Sequence, residues 1–131
     1  MLSSSLSLRI LLFRHPLAGT QLVKGTIESG ETPGEAALHE LAEESGISDA
    51  MIERDLGYWK AGHLDQVWSF HLCRAVRELP ERWAYQTRDG NGHAFQFFWA
   101  PLEDLPYTDC HSVFQRALDY LCETLQVFGR N

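Results

Sequence analysis

Apolar residues recur along this chain in two rhythms, and their order sets an expectation for the fold. From Leu6 to Phe13 they alternate partly and then run unbroken through Ile10, Leu11, Leu12 and Phe13, as in a strand covered on both faces. "HPLAG" turns the chain. A short strand through Gln21, Leu22 and Val23 then leads into the glycine-rich "KGTIESGETPG".

The period next lengthens to that of a helix. Thr32 can cap its start, Pro33 suits the first helical position, Glu35 completes a capping box, and Gly46 is suited to end it. At 100° per residue from Glu40, the residues Ala37, Leu38, Leu41, Ala42 and Ser45 fill an arc from about 60° to 200°. Glu40, Glu43 and Glu44 fill the adjoining arc from about −60° to 40°. One face packs, and its neighbour carries charge.

Downstream, "DLGYWK" reads as a strand, and "VWSFHLCRAV" sets Trp68, Phe70 and Leu72 against Ser69, His71 and Cys73. "HAFQFFWAPLEDLP" repeats that alternation with Phe95, Phe97 and Trp99. Between them "RELPERWAYQTRDGNG" is turn-rich, with Asp89, Gly90, Asn91 and Gly92 as a loop tip. Ser112 with Gln115 resembles a second capping box, followed by an apolar stripe of Val113, Phe114, Ala117, Leu118, Leu121 and Leu125. Strands on both sides of a central helix, with another helix at the end, predict an α/β fold in which a mixed β-sheet lies between helices.

Composition narrows the class. With 131 residues, 44% hydrophobic, the chain is sized for one core, so residues 1–131 are expected to form a single domain. A net charge of −7 argues against a broad nucleic-acid surface, so a phosphate-bearing ligand would need a local cation. Cys73, Cys110 and Cys122 are odd in number and widely spaced, which suggests free thiols in a reducing compartment. No acid precedes Glu28, but Arg9 interrupts the early apolar run and no stretch reaches the ~20 apolar residues of a membrane span. A cytoplasmic protein without a membrane partner is the expectation.

The crowded acids need a reason. Neighbouring carboxylates on a helix repel by a few tenths of a kcal/mol when exposed, and by roughly 3 kcal/mol at ~6 Å with an effective dielectric near 20. A solvated acidic face is one reading; a divalent cation, which prefers oxygen donors and bridges carboxylates to phosphates, is the other. The flanking residues favour the cation. "GTIESGETPGEAALHELAEESGI", residues 25–47, closely resembles the Nudix box, G-x5-E-x7-R-E-U-x-E-E-x-G-U with U aliphatic. Gly25, Glu31, Glu40, Leu41, Glu43, Glu44, Gly46 and Ile47 fall in register. Chance agreement of its fixed Gly and Glu positions is on the order of 10⁻⁷ per starting position.

The resemblance implies a Nudix hydrolase: an α/β/α sandwich that cleaves a nucleoside diphosphate linked to another group X, using Mg²⁺ or Mn²⁺ and an activated water. It implies Glu40, Glu43 and Glu44 as metal ligands, with Glu40 also orienting or deprotonating the water. Gly25 would add a backbone carbonyl, and Glu31 would be structural. The substrate class would be a nucleoside triphosphate or dinucleoside polyphosphate. Three departures qualify this. His39 stands where the family has Arg, and histidine is shorter and charged only when protonated, which implies weaker metal binding or a shifted pH optimum. His39 lies four residues before Glu43 and can pair with it. Where many members supply a further Glu, this chain offers His93 and Gln96, with Glu78 and Glu81 earlier and Glu103 later. Few residues precede Gly25, so an N-terminal strand is expected either to be missing or to come from a neighbouring copy, the second of which would make a homodimer.

The alternative to an enzyme is a catalytically impaired Nudix-fold module that binds nucleotides or regulates; a third reading is an interaction protein with a solvated acidic helix. Lys24 is a candidate phosphate contact, and Trp59, Trp83 and Tyr85 could stack on a base, although large aromatics more often pack a core. His63, His71 and His111 are scattered. His39-Glu40-x-x-Glu43 lacks the second histidine of a zinc protease helix. Gly62, His63, Leu64 and Asp65 occupy the positions where some Nudix subfamilies carry a substrate-marking Pro or Tyr, and they match neither.

Overall fold

A computed structural model describes residues 2–3, 9–24, 30–62, 66–87 and 92–125. In chain order they form β1 (Leu2–Ser3), β2 (Arg9–His15), β3 (Gly19–Gln21), α1 (Pro33–Ser45), β4 (Ala50–Lys60), β5 (Val67–Ala75), β6 (Arg82–Gln86), β7 (Ala94–Pro101) and α2 (Ser112–Leu125). One sheet has the order β1-β2-β7-β6, with β3 also paired to β2, and β4 with β5 makes a separate ribbon. Every described pairing is antiparallel, so the mixed character expected of the sheet is not carried by these residues.

β2 is the spine, and its unbroken apolar run has the predicted consequence. Ile10 and Leu12 point into a cluster with Val113, Phe114, Ala117, Leu118 and Leu121 of α2. Leu11 and Phe13, one residue out of phase, point into a second cluster with Leu41, Ile47, Phe95 and Phe97 on the α1 side. Successive strand side chains face opposite ways, so a strand between two helices must be apolar at every position. The result is an α/β/α sandwich.

α1 begins and ends where its sequence signals lie. Thr32 accepts from the Glu35 backbone N–H at 3.1 Å, Glu35 accepts from the Thr32 N–H at 2.8 Å, and Pro33 opens the helix. Gly46 adopts φ +83 and returns its N–H to the Ala42 carbonyl. Ala36, Leu41 and Ser45 are fully buried, whereas Ala37, Leu38 and Ala42, expected in the packed arc, are half-buried, Ala37 on the wall of a cavity. The buried Ser45 hydroxyl donates to the Leu41 carbonyl and accepts from Ile47 N–H, so it carries no unmet polar group inward.

Four expectations shift. The second strand is Gly19–Gln21 rather than Gln21–Val23, because the turn at 16–18 returns the chain sooner and pairs Phe13 with Gln21. β4 starts at Ala50, well before "DLGYWK", and two register shifts bend it. The turn-rich reading of residues 77–92 conceals β6, an exposed edge strand on β7. α2 is capped by His111 rather than Ser112: His111 Nδ1 accepts from Val113 N–H at 3.1 Å, and Gln115 donates instead to the carbonyls of Tyr107 and Cys110. The loop tip expected at Asp89, Gly90 and Asn91 lies outside the described residues.

The β4–β5 ribbon is tied over α2. Asp55 Oδ1 accepts from Gly57 N–H at the bend, and Tyr120 of α2 donates its hydroxyl to the Leu56 carbonyl at 2.7 Å. Trp59, Trp68, Phe70 and Leu72 pack on the α2 cluster from this ribbon. No described helix is long and apolar enough to cross a membrane.

Candidate active site

The acidic edge of α1 is organised around His39. Its Nδ1 lies 3.1 Å from Glu31 Oε2, and its Nε2 lies 2.8 Å from Glu43 Oε1 one turn later. A neutral imidazole has one N–H, so only the protonated ring can donate to both carboxylates. Hydrogen bonding to Glu31, then to Glu43, and the field of Glu43 raise its pKa from 6.5 to about 9. At neutral pH His39 is therefore a cation making the two-pronged contact for which an arginine is suited. Glu31 stands on this clamp, in the loop before the helix.

Beside that edge, between α1 and the β4–β5 ribbon, lies a cavity of about 430 Å³, within the range of small-molecule sites. Its walls are largely aliphatic and aromatic; Lys24, Glu40, Gln66, Ser69 and His71 contribute polar groups. Lys24 is otherwise exposed and holds Nζ 5.4 Å from the centre of the Trp68 ring. A carboxylate of the acidic helix and a lysine thus share one ligand-sized recess.

Glu40, Glu43 and Glu44 offer hard oxygen donors from adjacent positions of one helix. Among the described residues, no three His, Cys, Asp or Glu side chains are grouped so that together they could hold a metal ion. Carboxylate oxygens are the donors a Mg²⁺-type ion takes, one or two at a time, with water and substrate phosphates completing its shell, whereas a structural zinc site needs four converging ligands. Gly25, expected to add a carbonyl, lies outside the described residues.

All three aromatic candidates are elsewhere. Trp59 is outside the cavity lining and packs within the aromatic group of Trp68, Phe70 and Tyr120, at centroid distances of 5.4, 6.0 and 6.2 Å. Tyr85 lies on β6 against Gly46, where a Cβ would come within 2.8 Å of its ring. The aromatics that do line the cavity are Trp68 and Phe70. The alternation in "VWSFHLCRAV" put both on one face of a strand without marking either as a site residue. Trp83 stacks on Phe97.

None of the substitutes considered for the further Glu lines the cavity. Glu81 is held by Arg9 through bonds of 2.9 and 3.2 Å. Glu78 and Glu103 are exposed, as is Gln96. His93 meets His15 ring to ring at 5.1 Å, and burial, with the field of His93, lowers the His15 pKa. His63, Leu64 and Asp65 lie outside the described residues.

The family profile of the NUDIX domain matches residues 6–119. The chain belongs to the Nudix family. A search of curated proteins and a search of solved structures each gave no match. Membership makes the protein a hydrolase of phosphoanhydride bonds in nucleoside diphosphate derivatives, and Nudix hydrolases generally use divalent cations. His39, the box position that departs from arginine, is the residue that joins Glu31 to Glu43.

Proposed function

We propose that the protein is a metal-dependent pyrophosphohydrolase that cleaves a nucleoside diphosphate linked to a group X, of the nucleoside triphosphate or dinucleoside polyphosphate class. The single observation that carries this is the recess shared by Glu40 of the acidic helix and Lys24. Glu40, Glu43 and Glu44 would hold Mg²⁺ or Mn²⁺. Such an ion polarises phosphoryl oxygens, lowers the pKa of a water and stabilises the leaving phosphate.

The chain's own residues supply the rest. Glu40, within the cavity wall, orients the attacking water and accepts its proton. Lys24 meets phosphate oxygens as a point charge. The apolar walls around Phe70 seat the uncharged part of the substrate and exclude bulk water, which strengthens both electrostatic contacts. His39 holds Glu43 in place without competing for the substrate. That clamp supports activity over the impaired-module reading, whose motive was the missing arginine.

The test is a panel of nucleoside triphosphates, dinucleoside polyphosphates and nucleotide sugars with Mg²⁺, read as phosphate release after a coupling phosphatase or pyrophosphatase. Glu43→Gln and Glu44→Gln should each abolish turnover with unchanged circular dichroism. Full activity in both variants would rule out the metal site.

A further inference from the structure

We infer that Trp68 is a positioning residue: it holds the Lys24 ammonium in the cavity as a preformed receptor for a diphosphate group. This rests on the reading of the cavity as the substrate site. Trp68 is itself fixed. Its Nε1 donates to Gln66 Oε1 at 3.1 Å, and its ring lies 5.5 Å from Phe114 and 5.4 Å from Trp59, tilted at 48° and 64°. Lys24 Nζ, at 5.4 Å from the ring centre, is within the ~6 Å reach of a cation–π contact.

A lysine on an open surface samples many rotamers, and each anion it binds must first select one. The indole removes part of that search. It attracts the ammonium through the ring quadrupole from one side, which leaves the N–H donors on the other side to meet oxygen acceptors. Among the described cavity-lining residues, Lys24 bears the one permanent positive charge. Glu40 lines the same cavity, so a diphosphate entering it meets a carboxylate, and the fixed ammonium offsets that repulsion.

The probe is methylene diphosphonate, which cannot be hydrolysed, titrated by calorimetry with Mg²⁺ present. Lys24→Gln should weaken binding roughly tenfold. Trp68→Leu should weaken it about two- to fivefold, and Trp68→Phe, which keeps a π face, should recover most of that loss. In the double variant Lys24→Gln with Trp68→Leu, binding should be no weaker than in Lys24→Gln alone. Additive losses, an unaffected Trp68→Leu, or no binding to the wild type would each overturn the inference.

Should Trp68→Leu fail to fold, the indole N–H resonance of Trp68 serves instead: the ligand should shift it in the wild type and shift it clearly less in saturated Lys24→Gln, and equal shifts would overturn the inference. Turnover on the same proteins separates the two claims. Coupled binding without wild-type turnover would sink the enzymatic reading alone. Turnover in which Trp68→Leu changes neither KM nor binding would sink this inference alone, whereas its success raises KM with kcat unchanged.

Discussion

His39 Nε2 stands 2.8 Å from Glu43 Oε1, one helical turn along α1, and this pair holds an imidazolium where the family has arginine. Folding raises the ring from 6.5 to about 9, through hydrogen bonds to Glu31 and Glu43. The stabilisation is therefore complete below pH 6.5 and is lost as pH rises through about 9. The side chain is substantially exposed, so solvent screening keeps the effect small. In metal-free protein, the melting-temperature advantage of the wild type over His39→Gln should shrink across that window, while His39→Arg keeps its own. A constant gap between wild type and His39→Gln would show that the ring is not charged in the fold.

Glu40, Glu43 and Glu44 crowd negative charge on one edge of α1, so a bound metal cation should act on stability as well as on turnover. Mn²⁺ at 100 times its Kd should stabilise the wild type by about 2.7 kcal/mol. Glu43→Gln and Glu44→Gln should each lose most of that gain; without metal, Glu43→Gln should also lose the contribution of its pair with His39, so the Mn²⁺ effect is compared within each protein. Differential scanning calorimetry with and without chelator measures both. An equal Mn²⁺ effect in all three proteins would place the ion elsewhere.

How far the chain could be read depends on where its information lies. α1 was legible to its termini because Thr32, Pro33, Glu35 and Gly46 act through bonds made within a few residues. β2 was legible because burial on both faces demands an apolar residue at every position. β6 was not, since four of its five residues are exposed and pairing with β7 alone makes it a strand. Likewise, nothing local separates Trp59 from Trp68. Both sit on one ribbon and touch each other, and only the tertiary position of α1 leaves Trp68, and not Trp59, on the cavity wall. The His39 clamp was half visible: the spacing to Glu43 is local, but the approach of Glu31 depends on the fold of the loop before α1.

Gly46 satisfies two constraints at once. Its φ of +83 is costly for a residue with a Cβ, and a Cβ there would fall 2.8 Å from the Tyr85 ring. Gly46→Ala should cost about 1–2 kcal/mol from the backbone alone, plus the displacement of Tyr85. Adding Tyr85→Ala should recover the second part and not the first. Urea denaturation of the three variants separates them, and complete recovery in the double variant would mean that the backbone adapts without strain.

Trp83 joins the unpredicted strand to the acidic helix by two contacts of different character. Its Nε1 donates to the Ser45 carbonyl at 3.0 Å, at the end of α1, and its ring stacks on Phe97 at 5.2 Å with an interplanar angle of 13°. Trp83→Phe keeps a ring on Phe97 but leaves the Ser45 carbonyl without this donor, which should cost about 1 kcal/mol. Trp83→Ala removes both contacts and opens a gap over Phe97, and should cost about 3 kcal/mol. The carboxylates lie on the same helix as Ser45, so the fraying that follows should reach Glu44, within one turn of the helix end, before Glu40. Amide hydrogen exchange along α1 should thus accelerate most over residues 42–45 in Trp83→Phe. Uniform protection along the helix would show that Gly46 alone secures its end.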